Sequence, residues 1–215
     1  GQALAQQRVE ITGSNIKRLD QEKILPVTVF NIEQIEIRNA LTPVEMLTAL
    51  PQVTNVPLNE TQNGGANSRG DNANVNLRGI GAGNTLVLLN GRRLAPHPVT
   101  SNDAGVPAFY ANVNQLPTQG IERIDVLRDG ASAIYGSDAV AGVINYISKR
   151  DLRGTELRTR FGLPEHGEGT SLQATLTSGR EFAGGKGRWL STFDYFKRDE
   201  IPYRSRSFTR SGNHT

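Results

Sequence analysis

Residues 121–148 read IERIDVLRDGASAIYGSDAVAGVINYIS, and the reading of this stretch decides the fold. Ile124–Leu127 and Val143–Ile147 are short apolar runs rich in β-branched residues, the composition of strands. Between them lie Asp129-Gly130, a one-turn helical patch at Ala131–Tyr135, then Gly136, Gly142 and a scatter of small residues. The first run is hemmed by Glu122, Arg123, Asp125, Arg128 and Asp129. Such a strand packs one face and meets charge with the other. Upstream, Thr85–Leu94 reads TLVLLNGRRL, an apolar strand, an Asn-Gly pair and a second strand. Asn90-Gly91 suits a type I′ hairpin turn, because both central residues take positive φ.

Composition removes several classes of function. Lys and Arg number 24 against 21 Asp and Glu, a net of +3 with the signs mixed along the chain. No basic block tracks phosphates, so nucleic acid is not expected as a partner. The absence of cysteine excludes disulfides, thiolate metal sites and cysteine nucleophiles. No run approaches the roughly 18 apolar residues of a membrane-crossing helix, so any membrane crossing must use strands. His97, His166 and His214 fall in loops or near the end, and His97 sits between two prolines without a second ligand nearby. Neither a metal nor a cofactor is expected. Ser137-Asp138 has no histidine near it in sequence, and no nucleophile–base–orienter set is visible, so an enzyme is not expected. Gly79–Gly83 reads GIGAG, but a dinucleotide fingerprint needs a helix to begin there, and the strand Thr85–Leu89 follows instead.

In chain order, Ala3-Leu4-Ala5 has the small-x-small form left at a signal-peptidase site. On that reading residues 1–5 are a signal remnant and Gln6 is the expected mature N-terminus; the alternative is a chance match in an Ala/Gln-rich stub. Arg8–Thr12 alternates Val9 and Ile11 with Arg8, Glu10 and Thr12 before Gly13-Ser14-Asn15 breaks it. After a polar connection at 16–25, Pro26–Phe30 is a strand. Asn31 with Gln34 reads as a capping box opening a helix. Thr42, Pro43 and Glu45 open another, which packs through Val44, Leu47 and Leu50 and is stopped by Pro51. Met46 fills a gap in that packing. Short strands are expected at Val53–Val56 and Asn74–Arg78, and Asn59–Asn72 is too polar to pack and reads as a loop. Its Arg69-Gly70-Asp71 tripeptide is taken as coincidence. Ala95–Tyr110 reads as a second long polar loop.

Beyond Lys149-Arg150 the pattern becomes one of alternation. Leu157, Thr159, Phe161 and Leu163 share a face against Glu156, Arg158 and Arg160. Leu172, Ala174 and Leu176 alternate with Gln173, Thr175 and Thr177, and Trp189, Ser191, Phe193 and Tyr195 with Leu190, Thr192, Asp194 and Phe196. Segments of about ten residues, apolar on one side and polar on the other, suit a transmembrane barrel wall. The half-buried sheet of a soluble sandwich shows the same period, and alternation alone does not choose between them.

In order and spacing, LVLLNGRRL, the 121–148 stretch and TELRTRFG resemble the plug and first barrel strands of TonB-dependent outer-membrane receptors. The resemblance implies an α+β plug, a mixed sheet of about four strands with short helices, lodged in a barrel of about 22 strands. Residues 6–15 then correspond to a TonB-box-like segment, 16–150 to the plug, and 151–215 to about three antiparallel transmembrane strands of a longer receptor. Trp189 and Tyr195 fall to the interfacial aromatic girdles. Three open strands would leave unpaired edges, so this stretch is not expected to transport by itself. Because the box lies so near the first residue given, the periplasmic signalling domain of some relatives is not expected.

The resemblance also implies roles. Val9, Glu10, Ile11 and Thr12 become the segment that pairs with TonB, which is driven by a proton-powered motor in the inner membrane; an extended, untethered segment can add to another sheet's edge through its backbone. The match is loose, since Gly13 stands where Ala is common and the acidic start is missing, and the alternative is an ordinary first strand of the plug sheet. The long loops become substrate contacts through Asn59, Gln62, Asn63, Arg69, Asp71, His97, Ser101, Asn102, Asp103, Phe109 and Tyr110. Arg92, Arg93, Glu122, Arg123, Asp125 and Arg128 become polar plug–barrel contacts that can shear under a pull, while Ile124, Val126 and Leu127 hold the sheet. The implied location is the Gram-negative outer membrane, in contact with its lipid, with the plug N-terminus facing the periplasm. The implied cargo is a scarce small molecule or metal chelate such as a ferric siderophore, haem, cobalamin or an oligosaccharide. The rival class is a soluble periplasmic or surface binding module with a plug-like sheet.

Overall fold

A computed structural model describes residues 27–31, 42–50, 53–54, 73–98, 101–103, 106–128, 131–164 and 169–199. They fall into two compact units that divide between Lys149 and Arg150. The expected segments at 1–25, the Asn31–Gln34 helix beyond Asn31, and Asn59–Asn72 lie outside the described residues.

The first unit is organised by a five-stranded mixed sheet. Its strands are β1 (Val27–Asn31), β4 (Thr85–Leu89), β5 (Arg92–Arg93), β8 (Ile121–Leu127) and β9 (Gly142–Ser148), in the order β1-β8-β9-β4-β5. Only the β4–β9 pair is parallel. The remaining strands are β2 (Val53–Thr54) paired with β3 (Asn76–Leu77), and β6 (Ser101–Asp103) paired with β7 (Val106–Ala108). Four strands of five or seven residues carry the sheet; the two-residue β5 is the return of the Asn90-Gly91 hairpin. Asn90 and Gly91 have φ of 51° and 77°, as a type I′ turn requires.

Alternation sorts the side chains of β8 and β9 between two faces. Ile124 and Val126 of β8, Ile144 and Tyr146 of β9 and Val87 of β4 join one core, which is closed by Leu47 and Leu50. Leu47 lies within a 3₁₀ turn, Glu45–Ala49, and Leu50 directly follows it; Glu45 N–H donates to Thr42 Oγ1 at 3.4 Å at its start. The helix read from Thr42 and Pro43 is instead this 3₁₀ turn, which begins at Glu45 with Val44 at its N-cap position, and Met46 is buried in the core. The opposite face packs Leu86, Leu88 and Val143 against Ala131 and Ala139, with Leu127 partly buried beside them. Leu127 therefore does not share a face with Ile124 and Val126. Ala131 and Ala139 bracket α1 (Ser132–Tyr135) and a 3₁₀ turn, Ser137–Ala139, the small-residue crossover between β8 and β9. Burying a side chain such as Ile144 contributes roughly 1.5–3 kcal/mol.

Gly142 is fixed by close approach. Its φ is +138°, and a Cβ there would lie 2.4 Å from the Leu127 carbonyl oxygen and 3.1 Å from Leu77 Cδ1. β9 thus begins where the main chain of β8 passes too near for any side chain.

Two expectations need correction. The strand read at Asn74–Arg78 is reduced to Asn76–Leu77: Arg78 turns to φ 61° and Asn76 Oδ1 accepts a hydrogen bond from Gly81 N–H at 3.0 Å, ending the extended run. The loop read at Ala95–Tyr110 contains the β6–β7 hairpin, because backbone pairing does not require apolar side chains.

The second unit is an antiparallel sheet of β10 (Gly154–Gly162), β11 (Ser171–Phe182) and β12 (Gly187–Arg198), in that order. Its register joins the like-faced residues read from the sequence: Leu157 opposes Leu176, which opposes Phe193, and Thr159 opposes Ala174, which opposes Tyr195. A 3₁₀ turn at Ala183–Gly185 links β11 to β12.

Candidate functional site

One face of β8 carries charge. Asp125 is only 3% exposed, and Arg123, two residues away on the same face, donates from Nε to its Oδ1 at 3.1 Å. Burial pushes the Asp125 carboxyl above the ordinary carboxylate range, partly offset by the adjacent guanidinium. Its other oxygen has no partner among the described residues, and neither has Asn145 Nδ2. Asp125 and Asn145 oppose each other across β8 and β9. The side-chain oxygen of Asn145, Oδ1, accepts from Gly91 N–H at 3.0 Å and so ties the hairpin turn to β9. Asn90 reinforces that tie, accepting from Ser148 N–H at 3.0 Å and donating from Nδ2 to Ser148 Oγ at 2.9 Å. Glu122 lies 4.0 Å from Arg123, and Arg128 carries a buried Nε with no partner among the described residues.

Arg93 is committed within the first unit. Its guanidinium grips both carboxylate oxygens of Asp138 and also donates to the Tyr135 carbonyl. The Arg93 hydrogen bond holds the Asp138 carboxyl below the ordinary range, and Asp138 raises Arg93 in return. The pair bolts the hairpin to the β8–β9 crossover. Asp138 was legible only as part of a small-residue turn; nothing in the sequence marks its partner 45 residues away. Arg92 is exposed on the same hairpin. A depression of about 460 Å³ there is lined by Leu89, Asn90, Arg92, Arg93 and Leu94.

Among the loop residues, His97 and Tyr110 are brought together by a backbone bond from His97 N–H to the Tyr110 carbonyl at 2.8 Å, beside a bridge between Pro96 and Ala111. The Tyr110 ring stands over Gly83, where a Cβ would lie 3.2 Å from Cε1. Phe109 is 59% exposed, and Ile80 is exposed in the glycine-rich turn. Ser101, Asn102 and Asp103 lie on β6. Val9–Thr12, Asn59, Gln62, Asn63, Arg69 and Asp71 lie outside the described residues. Among the described residues no three His, Asp or Glu side chains group to hold a metal, and no helix is long and apolar enough to cross a membrane.

The three-stranded sheet reverses the usual order of burial. On β11 the polar Gln173, Thr175 and Thr177 are buried, whereas Leu172 and Leu176 are exposed. Leu157, Phe161, Trp189, Phe193 and Tyr195 extend the exposed face over both neighbours. Gln173 and Thr175 meet Asp194 on the polar side. A water-soluble sheet would bury the opposite face.

A family model described as the TonB-dependent receptor plug domain matches residues 20–143. The chain belongs to the TonB-dependent receptor plug family. Among solved structures, the siderophore receptor PirA from Acinetobacter baumannii is similar with a TM-score of 0.68 and 25% identity, over 86% of this chain and 27% of that one. A mutant of the ferric enterobactin receptor PfeA from Pseudomonas aeruginosa gives 0.66 and 23%, over 84% of this chain and 26% of that one. PirA from Pseudomonas aeruginosa gives 0.56 and 24%, over 80% and 28%. The chain therefore spans about a quarter of the length of these receptors. The mixed plug sheet followed by antiparallel strands is the architecture they share, and their family is one of outer-membrane transport receptors rather than enzymes.

Proposed function

We propose that this chain is the plug and first wall strands of a receptor that takes up a ferric siderophore across the outer membrane, using work supplied through TonB. The observation that carries the reading is the inverted sheet: buried Gln173, Thr175 and Thr177 and exposed Leu172 and Leu176 immediately after a plug fold. That pattern fits lipid on one side and a watered lumen on the other, and argues against a soluble binding module. The siderophore class is taken from the three receptors of the same fold described above, each named for siderophores or for ferric enterobactin.

In this reading the plug closes the lumen and meets its cargo with the loops that include His97, Phe109 and Tyr110, together with Ser101–Asp103 and the Asn59–Asp71 segment. The outer membrane sustains no ion gradient, so the plug must be moved by work done from the inner membrane. TonB pairs with Val9–Thr12 and pulls. A plug that yields to a pull needs polar, hydrated contacts with its wall, since these shear more readily than interlocked apolar side chains. Arg92, Glu122, Arg123 and Arg128 serve there. Arg93 and Asp125, also read as wall contacts, spend much of their bonding on Asp138 and Arg123. They act first on the plug's own integrity.

The test is Val9→Pro and Ile11→Pro in the receptor that carries this chain. Proline removes a donor from the pairing edge, so energised uptake should be lost while siderophore binding at the cell surface persists. Unimpaired uptake in both variants would remove the role assigned to Val9–Thr12.

A further inference from the structure

We propose that Arg180 and Lys186 form a docking point for the phosphate of an anionic phospholipid headgroup, at one border of the exposed apolar face of the β10–β11–β12 sheet. The proposal rests on reading that sheet as a membrane wall. Alternation places Leu172, Ala174, Leu176, Ser178, Arg180 and Phe182 of β11 on that face. Arg180 is exposed and in register with Trp189 on β12. Phe182 and Trp189 are 56% and 59% exposed beside it.

Charge at this border is divided unequally between the two faces. On the polar face Arg153 meets Glu181 at 3.1 Å, and Arg188 meets Glu181 and Asp151, each at 3.3 Å. Two arginines are thus answered by two carboxylates. On the apolar face Arg180 has no acidic partner among the described residues, nor has Lys186 in the adjoining turn. At the opposite border the like-faced Lys197 has Asp199 at 3.9 Å. The uncompensated positive charge therefore gathers at the β11–β12 turn.

The dimensions fit a headgroup. From Leu172 to Phe182 the strand rises about 33 Å, which at a tilt of about 40° spans roughly 25 Å, the height of the apolar band of such barrels. Phe182 and Trp189 then lie at the level of the interfacial aromatic girdle. Arg180 lies about 5 Å inside that border by the same rise and tilt, near enough for its stem to stay in the apolar layer while the guanidinium emerges among the headgroups. A guanidinium fork matches phosphate oxygens in pairs, and Lys186 adds a point charge beyond the border. The β11–β12 turn is short, the kind that lies on the periplasmic side of these barrels, where the leaflet is glycerophospholipid.

The test uses the full receptor carrying this chain, purified in detergent doped with phosphatidylglycerol, with bound lipid followed by native mass spectrometry during titration. Arg180→Gln and Lys186→Gln should each weaken phosphatidylglycerol binding about fivefold. Arg180→Lys, which keeps the charge and loses the paired fork, should fall between wild type and Arg180→Gln, and Arg158→Gln, on the polar face, should leave binding unchanged. Undiminished binding in the Arg180→Gln/Lys186→Gln double variant, or an equal fall in Arg158→Gln, overturns the proposal. Leu176→Arg separates this outcome from failure of the wall reading. It should block assembly of the heat-modifiable receptor in the outer membrane, and normal assembly of that variant contradicts the wall itself, whatever the lipid titrations give.

Discussion

Replacing Gly142 by alanine should loosen the centre of the plug sheet more than any comparable change at another glycine of the unit. The new Cβ would lie 2.4 Å from the Leu127 carbonyl oxygen, 0.6 Å inside the 3.0 Å limit that real Cβ contacts respect. The obstacle is main chain, so relief requires moving β8 away from β9 and disturbing the Leu127–Val143 pairing. A φ of +138° adds a second cost, about 1–3 kcal/mol for a residue with a side chain. Overpacking against a fixed neighbour costs about 1–3 kcal/mol more. The sum, about 2–6 kcal/mol, is large beside the 5–15 kcal/mol that holds a typical domain together. Gly136→Ala is the matched control: its φ is +102°, but the nearest atoms to a new Cβ, Asp138 Oδ1 and Arg93 Nη2, stand at ordinary distances of 3.5 and 3.7 Å. The assay is amide hydrogen exchange across β8 and β9 in the assembled receptor, under conditions where protection reports opening free energy. Gly142→Ala should lower protection there by about 5- to 150-fold beyond Gly136→Ala, the equivalent of the overpacking cost at tenfold per 1.4 kcal/mol. Equal protection in the two variants would refute the reasoning that close approach, rather than φ alone, demands glycine at the start of β9.

Asp138→Asn should weaken the tie between the hairpin and the crossover by about 0.2–1 kcal/mol, the scale of a solvent-exposed ion pair. Because Arg93 holds the Asp138 carboxyl below its ordinary range, the stabilisation is present above the unfolded-state carboxylate pKa and is lost as pH falls through the folded value. Exchange at α1 in wild type and variant should therefore differ near neutrality and converge in acid. Asp125→Asn should behave oppositely: burial raises that carboxyl, so the wild type carries a penalty that grows as pH rises through the folded value. The variant should match wild type in acid and equal or exceed its thermal stability near neutrality; a loss there would mean that the Arg123 pairing outweighs desolvation. Tyr146→Phe should cost about 1 kcal/mol by removing the hydrogen bond from the buried hydroxyl to the Pro43 carbonyl at 3.3 Å. Chemical denaturation of the receptor's plug, read at a probe near residue 43, checks it.

The sequence makes the centres of the sheet strands plain and their ends obscure. Ile124–Leu127 and Val143–Ile147 announce themselves by β-branched side chains. β8 nonetheless begins three residues earlier, through Glu122 and Arg123, past an irregularity in the pairing between Ile121 and Arg123 that no pattern marks. Asn90-Gly91 reveals its turn because positive φ restricts the choice of residue. The polarity of 95–110 hides the β6–β7 hairpin, since pairing there rests on main-chain groups. In the second unit the like-faced sets were legible from alternation and the register agrees with them. Which face is exposed was not legible, because a soluble sheet and a membrane wall share one period; exposed Leu176 beside buried Thr175 and Thr177 distinguishes them. Contacts made across long sequence separations, Arg93 with Asp138 and Asn145 with Gly91, leave no local signal at all.

The central claim is that the second unit turns its apolar face to lipid and its polar face to water. The chain has no cysteine, so single cysteines placed in turn at Leu172, Gln173, Ala174, Thr175, Leu176 and Thr177, each in a receptor free of other cysteines, can be spin-labelled in outer-membrane preparations. The account predicts that collision with oxygen is high at 172, 174 and 176, and that collision with a water-soluble nickel chelate is low there relative to 173, 175 and 177. A reversed alternation, or nickel accessibility that is uniformly high along β11, would contradict it.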